Sequence, residues 1–186
     1  MIKKIITGGQ TGADRAALDV AILLNIPHGG WVPKGRLAED GPIHTKYQLK
    51  EMPTDSHEER TEQNVIDSDG TLIISHGELT GGSAYTRKMA MKYAKPWYHA
   101  NLNKLPTFQA AMIIEDWISK AGIETLNVAG PRHSKDPIIY GLVTVILELV
   151  CTLKTPKISA PEQSIDAINL KAERTETVDL PKTVGE

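Results

Sequence analysis

The sequence predicts an α/β fold, a single domain in three layers with a mainly parallel, doubly wound sheet between helices. Three observations predict it. Short apolar runs alternate with longer helical patterns over roughly the first 150 residues. The run Leu72-Ile73-Ile74 has no polar interruption, as a strand covered on both faces requires. Three times a strand empties into a polar, Gly-bearing turn that is followed directly by a helix, the local signature of a βα unit.

The elements follow in order. Ile5-Ile6 is a β-branched strand that runs into Thr7-Gly8-Gly9-Gln10-Thr11-Gly12, and Ala16 to Leu24 is a helix sequence rich in Ala and Leu. Asn25-Ile26-Pro27 closes that unit, and His28 to Val32 is a second strand. Pro33 to Ile43 is a loop of Gly, Pro and charge, and Tyr47 to Met52 is a third strand or extended chain. Ser56 is an N-cap for a polar helix from His57 to Asp67, with Glu58 and Glu59 in the first turn where the dipole favours them. Gly70 to Ser75 is the central strand, and Ser83 to Ala94 the helix after it. Pro96 to Ala100 is the next strand. Pro106 opens a helix through Ala121, with a mostly apolar stripe of Phe108, Ala111, Met112, Glu115 and Ile118 and a stop at Gly122. Thr125 to Ala129 is the last strand, and Asp136 as N-cap with Pro137 at N1 starts a helix that is apolar almost all round, hence buried. From Lys154 the composition shifts to Thr, Pro, Lys and Glu. The domain therefore spans 1–153, and 154–186 is a loosely held tail.

Composition narrows the function classes. With 21 basic and 23 acidic residues and a formal charge of −2, the chain advertises no polyanion-binding surface, so nucleic acid is not its partner. Cys151 is the single cysteine, which excludes an internal disulfide and a thiolate cluster and fits a reducing cytoplasm. No signal-peptide pattern precedes the first strand, and Leu142 to Val150 has about half the length of a membrane span, so no membrane association is expected. The six histidines, His28, His44, His57, His76, His99 and His133, lack metal-ligand spacing.

Chemistry gathers in the three turns. Gly8, Gly9 and Gly12, with Thr7, Gln10 and Thr11, can present backbone and side-chain donors at a helix start, which suits a phosphate or another oxyanion. The second turn is Thr80-Gly81-Gly82-Ser83, and the third is Gly130-Pro131-Arg132-His133-Ser134. In a parallel sheet all three occupy the rim at the carboxyl ends of the strands, where ligands of such sheets bind. Neither Gly-x-Gly-x-x-Gly nor a P-loop is present, so an intact dinucleotide or triphosphate mode is not indicated. Asp14 sits one turn into a helix, where a carboxylate can be a simple dipole partner, and Arg15 can equally pair with a neighbouring acid. Trp31 and Trp97 read as core, Trp117 as a helix contact and Cys151 as a packed thiol.

Gly8-Gly9-Gln10-Thr11-Gly12-Ala13-Asp14-Arg15-Ala16-Ala17-Leu18 resembles the opening motif of the molybdenum cofactor carrier family. Gly30-Trp31-Val32-Pro33-Lys34-Gly35-Arg36 with Glu39-Asp40-Gly41, the segment Arg60-Thr61-x-x-Asn64-Val65-x-Asp67-Ser68-Asp69, Gly81-Gly82-Ser83 and Val128-Ala129-Gly130-Pro131-Arg132 look like further blocks of it. The resemblance covers about residues 1–150. It implies a Rossmann-like homo-oligomer, dimer or tetramer, that holds the molybdenum cofactor and protects it until a molybdoenzyme apo-protein takes it. On this reading the ligand is the molybdenum cofactor, molybdopterin with its metal, no catalytic or metal-ligating residue is assigned, and the glycine turns hold the phosphate. Lys34, Arg36 or Arg132 would meet the oxo-molybdenum head, and Asn64, Asp69 or Asp14 the pterin edge. The wider relatives, the lysine-decarboxylase-like and cytokinin-activating group, offer an alternative: an N-glycosidase on a nucleoside monophosphate, or a sensor of such a ligand. Their motif Pro-Gly-Gly-x-Gly-Thr-x-x-Glu, aligned on Gly81-Gly82, meets Thr80 for the proline, Ala84 for the third glycine and Lys88 for the glutamate. Loss of that carboxylate argues for binding over hydrolysis, although Asp14, Glu39 or Asp69 could do related work.

Overall fold

The strands of the main sheet are short and all parallel, so the helices that follow them begin on the same rim. The computed structural model describes residues 1–152. In chain order these form β1 (Lys4–Ile6), α1 (Ala13–Leu23), β2 (His28–Gly29), β3 (Trp31–Val32), β4 (Leu37–Ala38), β5 (Gly41–Pro42), β6 (Lys50–Glu51), α2 (His57–Ile66), β7 (Gly70–Ser75), α3 (Gly81–Lys92), β8 (Trp97–Asn101), α4 (Thr107–Lys120), β9 (Thr125–Ala129) and α5 (Ile139–Thr152). The expected tail, 154–186, lies outside the described residues.

The central sheet has the order β2-β1-β9-β7-β8, and each of its pairings is parallel. Leu72 and Ile73 stand opposite Val128 and Ala129 on one side and Tyr98 and His99 on the other. All six residues of β7 are buried, which is why its sequence shows no alternation. One face is covered by α1, α5 and α4, whose Ala17, Val20, Ile114, Val143 and Ile146 pack with Ile5, Leu72 and Leu126. The other is covered by α2 and α3 through Val65, Met89 and Ala90 against Trp97. The fold is the expected Rossmann-like sandwich.

Among the five long-sheet strands in chain order the spatial order is 2-1-5-3-4. Counting β9 first turns this into 3-2-1-4-5, the usual doubly wound order with its start moved to the end of the chain. The topological switch point therefore lies between β9 and β7. The helix after β9 covers one face and the helix after β7 the other, so a crevice opens beyond the carboxyl ends of these two strands.

Several elements differ from the sequence reading. The expected strand His28–Val32 is broken at Gly30, whose φ of 121° turns the chain out of the sheet. After the break β3 pairs with β6, and β4 with β5, in two small ribbons packed on α1 through Leu18, Val32, Ile43, Tyr47 and Leu49. In α4 the buried residues are Ala110, Ala111, Ile114 and Ile118, while Phe108 is 59% exposed. The helix α5 is buried on one side only, with Tyr140 and Val145 exposed. Asp136 is not its side-chain cap: the helix starts at Ile139, which donates its N–H to the Asp136 carbonyl at 3.2 Å, and the carboxylate turns elsewhere.

The helix ends were legible. Ser56 Oγ accepts from the Glu59 N–H at 3.2 Å. At the end of α4, Gly122 (φ 64°) donates to the Ser119 carbonyl and Ile123 to the Ile118 carbonyl, the paired bonds of a Schellman motif. The same pair closes α3, from Ala94 to Met91 and from Lys95 to Ala90, with Ala94 held at φ 49°. A Cβ is unfavourable there. Ala94→Gly is therefore expected to stabilise the protein by about 1 kcal/mol, seen as a rise of roughly 2–4 °C in thermal unfolding.

Candidate ligand cleft

The crevice at the switch point is a cleft of about 1240 Å³. Its walls come from the α1 start (Gln10, Asp14), from α2 (His57, Arg60, Thr61), from the β7–α3 turn (Ser75 to Ser83) and from the β9–α5 turn (Gly130 to Pro137). The expected residues Gln10, Asp14, Thr80, Gly81, Gly82, Ser83, Gly130 and Arg132 all line it.

The three Gly-bearing turns are not equivalent, because two of them spend their donors on the chain itself. In the first, the Asp14 carboxylate folds back into the turn and accepts from the Gln10 N–H at 3.3 Å and from the Gly8 N–H. The Gly9 N–H goes to Thr7 Oγ1, the Thr11 N–H to Gln10 Oε1 and the Ala13 N–H to the Pro131 carbonyl. The anion of this turn is internal. In the third, the His133 N–H goes to Thr11 Oγ1 and the Ser134 N–H to Glu39 Oε1, while Lys135 and Asp136 donate to the Arg132 carbonyl. The second turn is different. The α3 N-cap Thr80 makes no side-chain cap bond, and space is open around Gly81 and Gly82. The first-turn N–H groups of α3, which no intrahelical carbonyl can reach, face the cleft without a partner among the described residues.

Charge reinforces the distinction. Arg60 lies over Gly8, so that a Cβ there would fall on its guanidinium, and only 15% of its side chain is exposed. Its side chain makes no hydrogen bond among the described residues: Nε is buried and unpartnered, and the ion pair to Asp14 Oδ2 is long, at 3.6 Å. A half-sequestered guanidinium with unspent donors is matched to a bound anion. Burial pushes the Asp14 carboxyl up against the opposing pull of Arg60. Burial, then the neighbouring Arg60 and Arg132, push His57 down. Sequence reading had no signal for Arg60 beyond its place in a motif, since a charged residue on a polar helix reads as a solvated face.

Most of the remaining expected residues are committed to the fold. Gly9 (φ 69°) packs beneath Leu49, Val32 and Ile43. Gly12 (φ 74°) lets the first and third turns touch, since a Cβ would stand 2.4 Å from the Pro131 carbonyl oxygen. Thr11, Gly12 and Arg15 border a separate hollow of about 410 Å³ with Glu39, Asp40, His133 and Tyr140. Arg15 pairs there with Asp40 at 3.1 Å and stacks on Tyr47. The Arg36 guanidinium staples the small ribbons by donating to the Leu49 and Tyr47 carbonyls at 2.7 and 3.1 Å. Asn64 is buried and spends its amide on both backbone groups of Trp31. Asp69 accepts from the Glu124 and Thr125 N–H groups at the opposite rim, and Lys34 is exposed in the β3–β4 loop. Lys88 is exposed on α3 and does not line the cleft.

Glu39 ties these loops together. It accepts from the Ser134 and Thr11 hydroxyls and the Ser134 N–H and stands 3.5 Å from Arg132 Nε. Those bonds pull its carboxyl down to about 2. A carboxyl held low in the folded chain contributes stability that is complete above its ordinary value near 4.5 and is lost as pH falls through about 2. Thermal unfolding of the parent is thus expected to weaken across that window, and Glu39→Gln to be less stable at neutral pH and to lack that part of the acid limb.

A family model described as the circularly permutated YpsA SLOG family matches residues 5–151, a description in keeping with the strand order. A solved structure from Syntrophus aciditrophicus SB, named a putative molybdenum carrier protein, is 57% identical. It superposes with a TM-score of 0.79, and the match covers 80% of this chain and 94% of that one. No curated protein matches. Among the described residues no helix is long and apolar enough to cross a membrane, and no group of three or more His, Cys, Asp or Glu could hold a metal ion.

Proposed function

Because the chain belongs to the circularly permutated YpsA SLOG family, we propose that it is a carrier, not a hydrolase, and that its cargo is the molybdenum cofactor. The open amides at the start of α3 facing Arg60 across the switch-point cleft carry the proposal: they form a cradle for the cofactor's phosphate. Arg132 and Lys135 extend the basic lining along the third turn. The printed name of the 57% identical structure points to molybdenum as the metal of the cargo. The cleft has room for a pterin-sized molecule, and pockets for such ligands run to about 1,000 Å³. The dithiolene of the cargo holds its own metal, so the carrier role does not require a cluster of metal-ligating side chains. The hydrolase alternative lacks its carboxylate on α3, where Lys88 points away from the lining. Delivery to an apo-enzyme, assembly into homo-oligomers and residence in the cytoplasm belong to this same proposal.

Thermal unfolding with the cofactor, with molybdate and with nucleoside monophosphates tests it. A ligand at 100 times its Kd adds about 2.7 kcal/mol, roughly 5–10 °C here. The cofactor alone is expected to give that shift. Gly82→Val, which points a side chain into the empty cradle, is expected to melt within about 0.5 kcal/mol of the parent and to lose the shift. A shift with a nucleotide and release of free base would replace this reading with the hydrolase.

A further inference from the structure

His76 stands in the turn between β7 and α3, beside the open amides, and both it and Asp136 line the cleft. Its Nδ1 is 2.6 Å from Asp136 Oδ2. An ionised carboxylate can only accept, so Nδ1 carries the hydrogen, and in the neutral ring the lone pair is on Nε2. No group among the described residues meets Nε2, and it is not among the buried unpartnered atoms, so it is open to solvent on a side chain that lines the cleft. The cleft also carries cations and N–H donors, from Arg60, Arg132, Lys135 and the α3 start, together with the carboxylates of Asp14 and Glu58. An oriented imidazole whose other nitrogen is tied to a carboxylate is the arrangement found behind metal-ligating histidines, where the carboxylate fixes the tautomer and raises ligand basicity. One histidine cannot hold a bare metal ion, and no cluster of three or more ligating side chains exists among the described residues. A single ligand does suffice for a metal that arrives already chelated. We infer that His76 Nε2 is the protein's ligand to the metal of the cargo, with Asp136 as the positioning residue behind it. This rests on the carrier reading above and adds to it the atom that touches the metal.

The experiment is Mo K-edge X-ray absorption on the full-length protein loaded with molybdenum cofactor released from a molybdoenzyme, with pterin retention on gel filtration measured in parallel. The parent is expected to show a nitrogen scatterer with imidazole multiple scattering. His76→Gln is expected to lose that signature and to release the cofactor at least tenfold faster, with the phosphate cradle intact. Asp136→Asn is expected to keep the scatterer but weaken retention by roughly 10–100-fold, the usual cost of removing the carboxylate behind a ligating histidine. Melting curves of the unloaded variants check that both fold. If the parent retains the cofactor with no imidazole signature, or His76→Gln retains the same signature, the ligand assignment is overturned and the carrier reading stands. If the parent retains no cofactor while folded, both are overturned.

Discussion

Gly12→Ala is expected to destabilise the protein by about 3 kcal/mol or more, a fall of roughly 6–12 °C in melting temperature. Two costs combine. The residue sits at φ 74°, where a Cβ is strained, and that Cβ would stand 2.4 Å from the Pro131 carbonyl oxygen and 2.9 Å from the His133 nitrogen. Both obstacles are backbone, so neither can swing aside as a side chain would. Relief requires the third turn to move, and that turn is tied to Thr11 and Glu39 through the His133 and Ser134 N–H groups. Arg132 and Gly130, which line the cleft, move with it. Equilibrium unfolding in urea measures the loss. Gly82→Val is the control, because it alters a glycine of the same rim with open space around it. Equal loss in the two variants would mean that the turns do not interlock as described.

Arg60→Gln carries the second large effect, and it is on binding. The guanidinium is the least satisfied donor in the cleft, so removing it deletes charge-assisted bonds that form only with the ligand. The expected loss of cofactor affinity is about 10²–10³-fold, as for truncation of one partner of a desolvated charge pair. The apo-protein responds through Asp14, whose carboxyl burial already raises and whose nearest cation would be gone. A carboxyl raised by folding lends stability below its ordinary value, near 3.8, and loses it as pH rises through the folded value. In Arg60→Gln the folded value climbs further, so the variant is expected to be weaker at pH 7 by about 1–3 kcal/mol and to recover as pH falls. Melting temperature against pH, with and without cofactor, separates the two effects. Unchanged cofactor binding would remove Arg60 from the site.

The fold was legible because its signals are local. The uninterrupted run in β7, the Ser56 cap and the Gly122 stop each depend on residues within one turn or strand. The break at Gly30 was not, since what demands a glycine there is Thr7, 23 residues earlier: a Cβ at Gly30 would lie 2.0 Å from its carbonyl oxygen. The site was legible as a rim and illegible in its assignments. Glycine turns before helices announce amide donors, but not whether the chain has already spent them. Asp14 fills the first turn from four residues away, and Glu39 fills the third from 95 residues away. Arg36 and Asn64 bind distant backbone for the same reason, and the partner of Asp136 is His76, 60 residues earlier. Pairings across such separations are decided by the fold as a whole and leave no trace in spacing.

The most direct measurement is a crystal structure of the protein with the molybdenum cofactor bound. The phosphate is expected at the start of α3, accepting from the Gly82 and Ser83 N–H groups with the Arg60 guanidinium engaged on the same ligand. A phosphate seated in the Gly8–Gly12 turn, with Asp14 displaced from it, or in the hollow beside Arg15 and Tyr140, would contradict it.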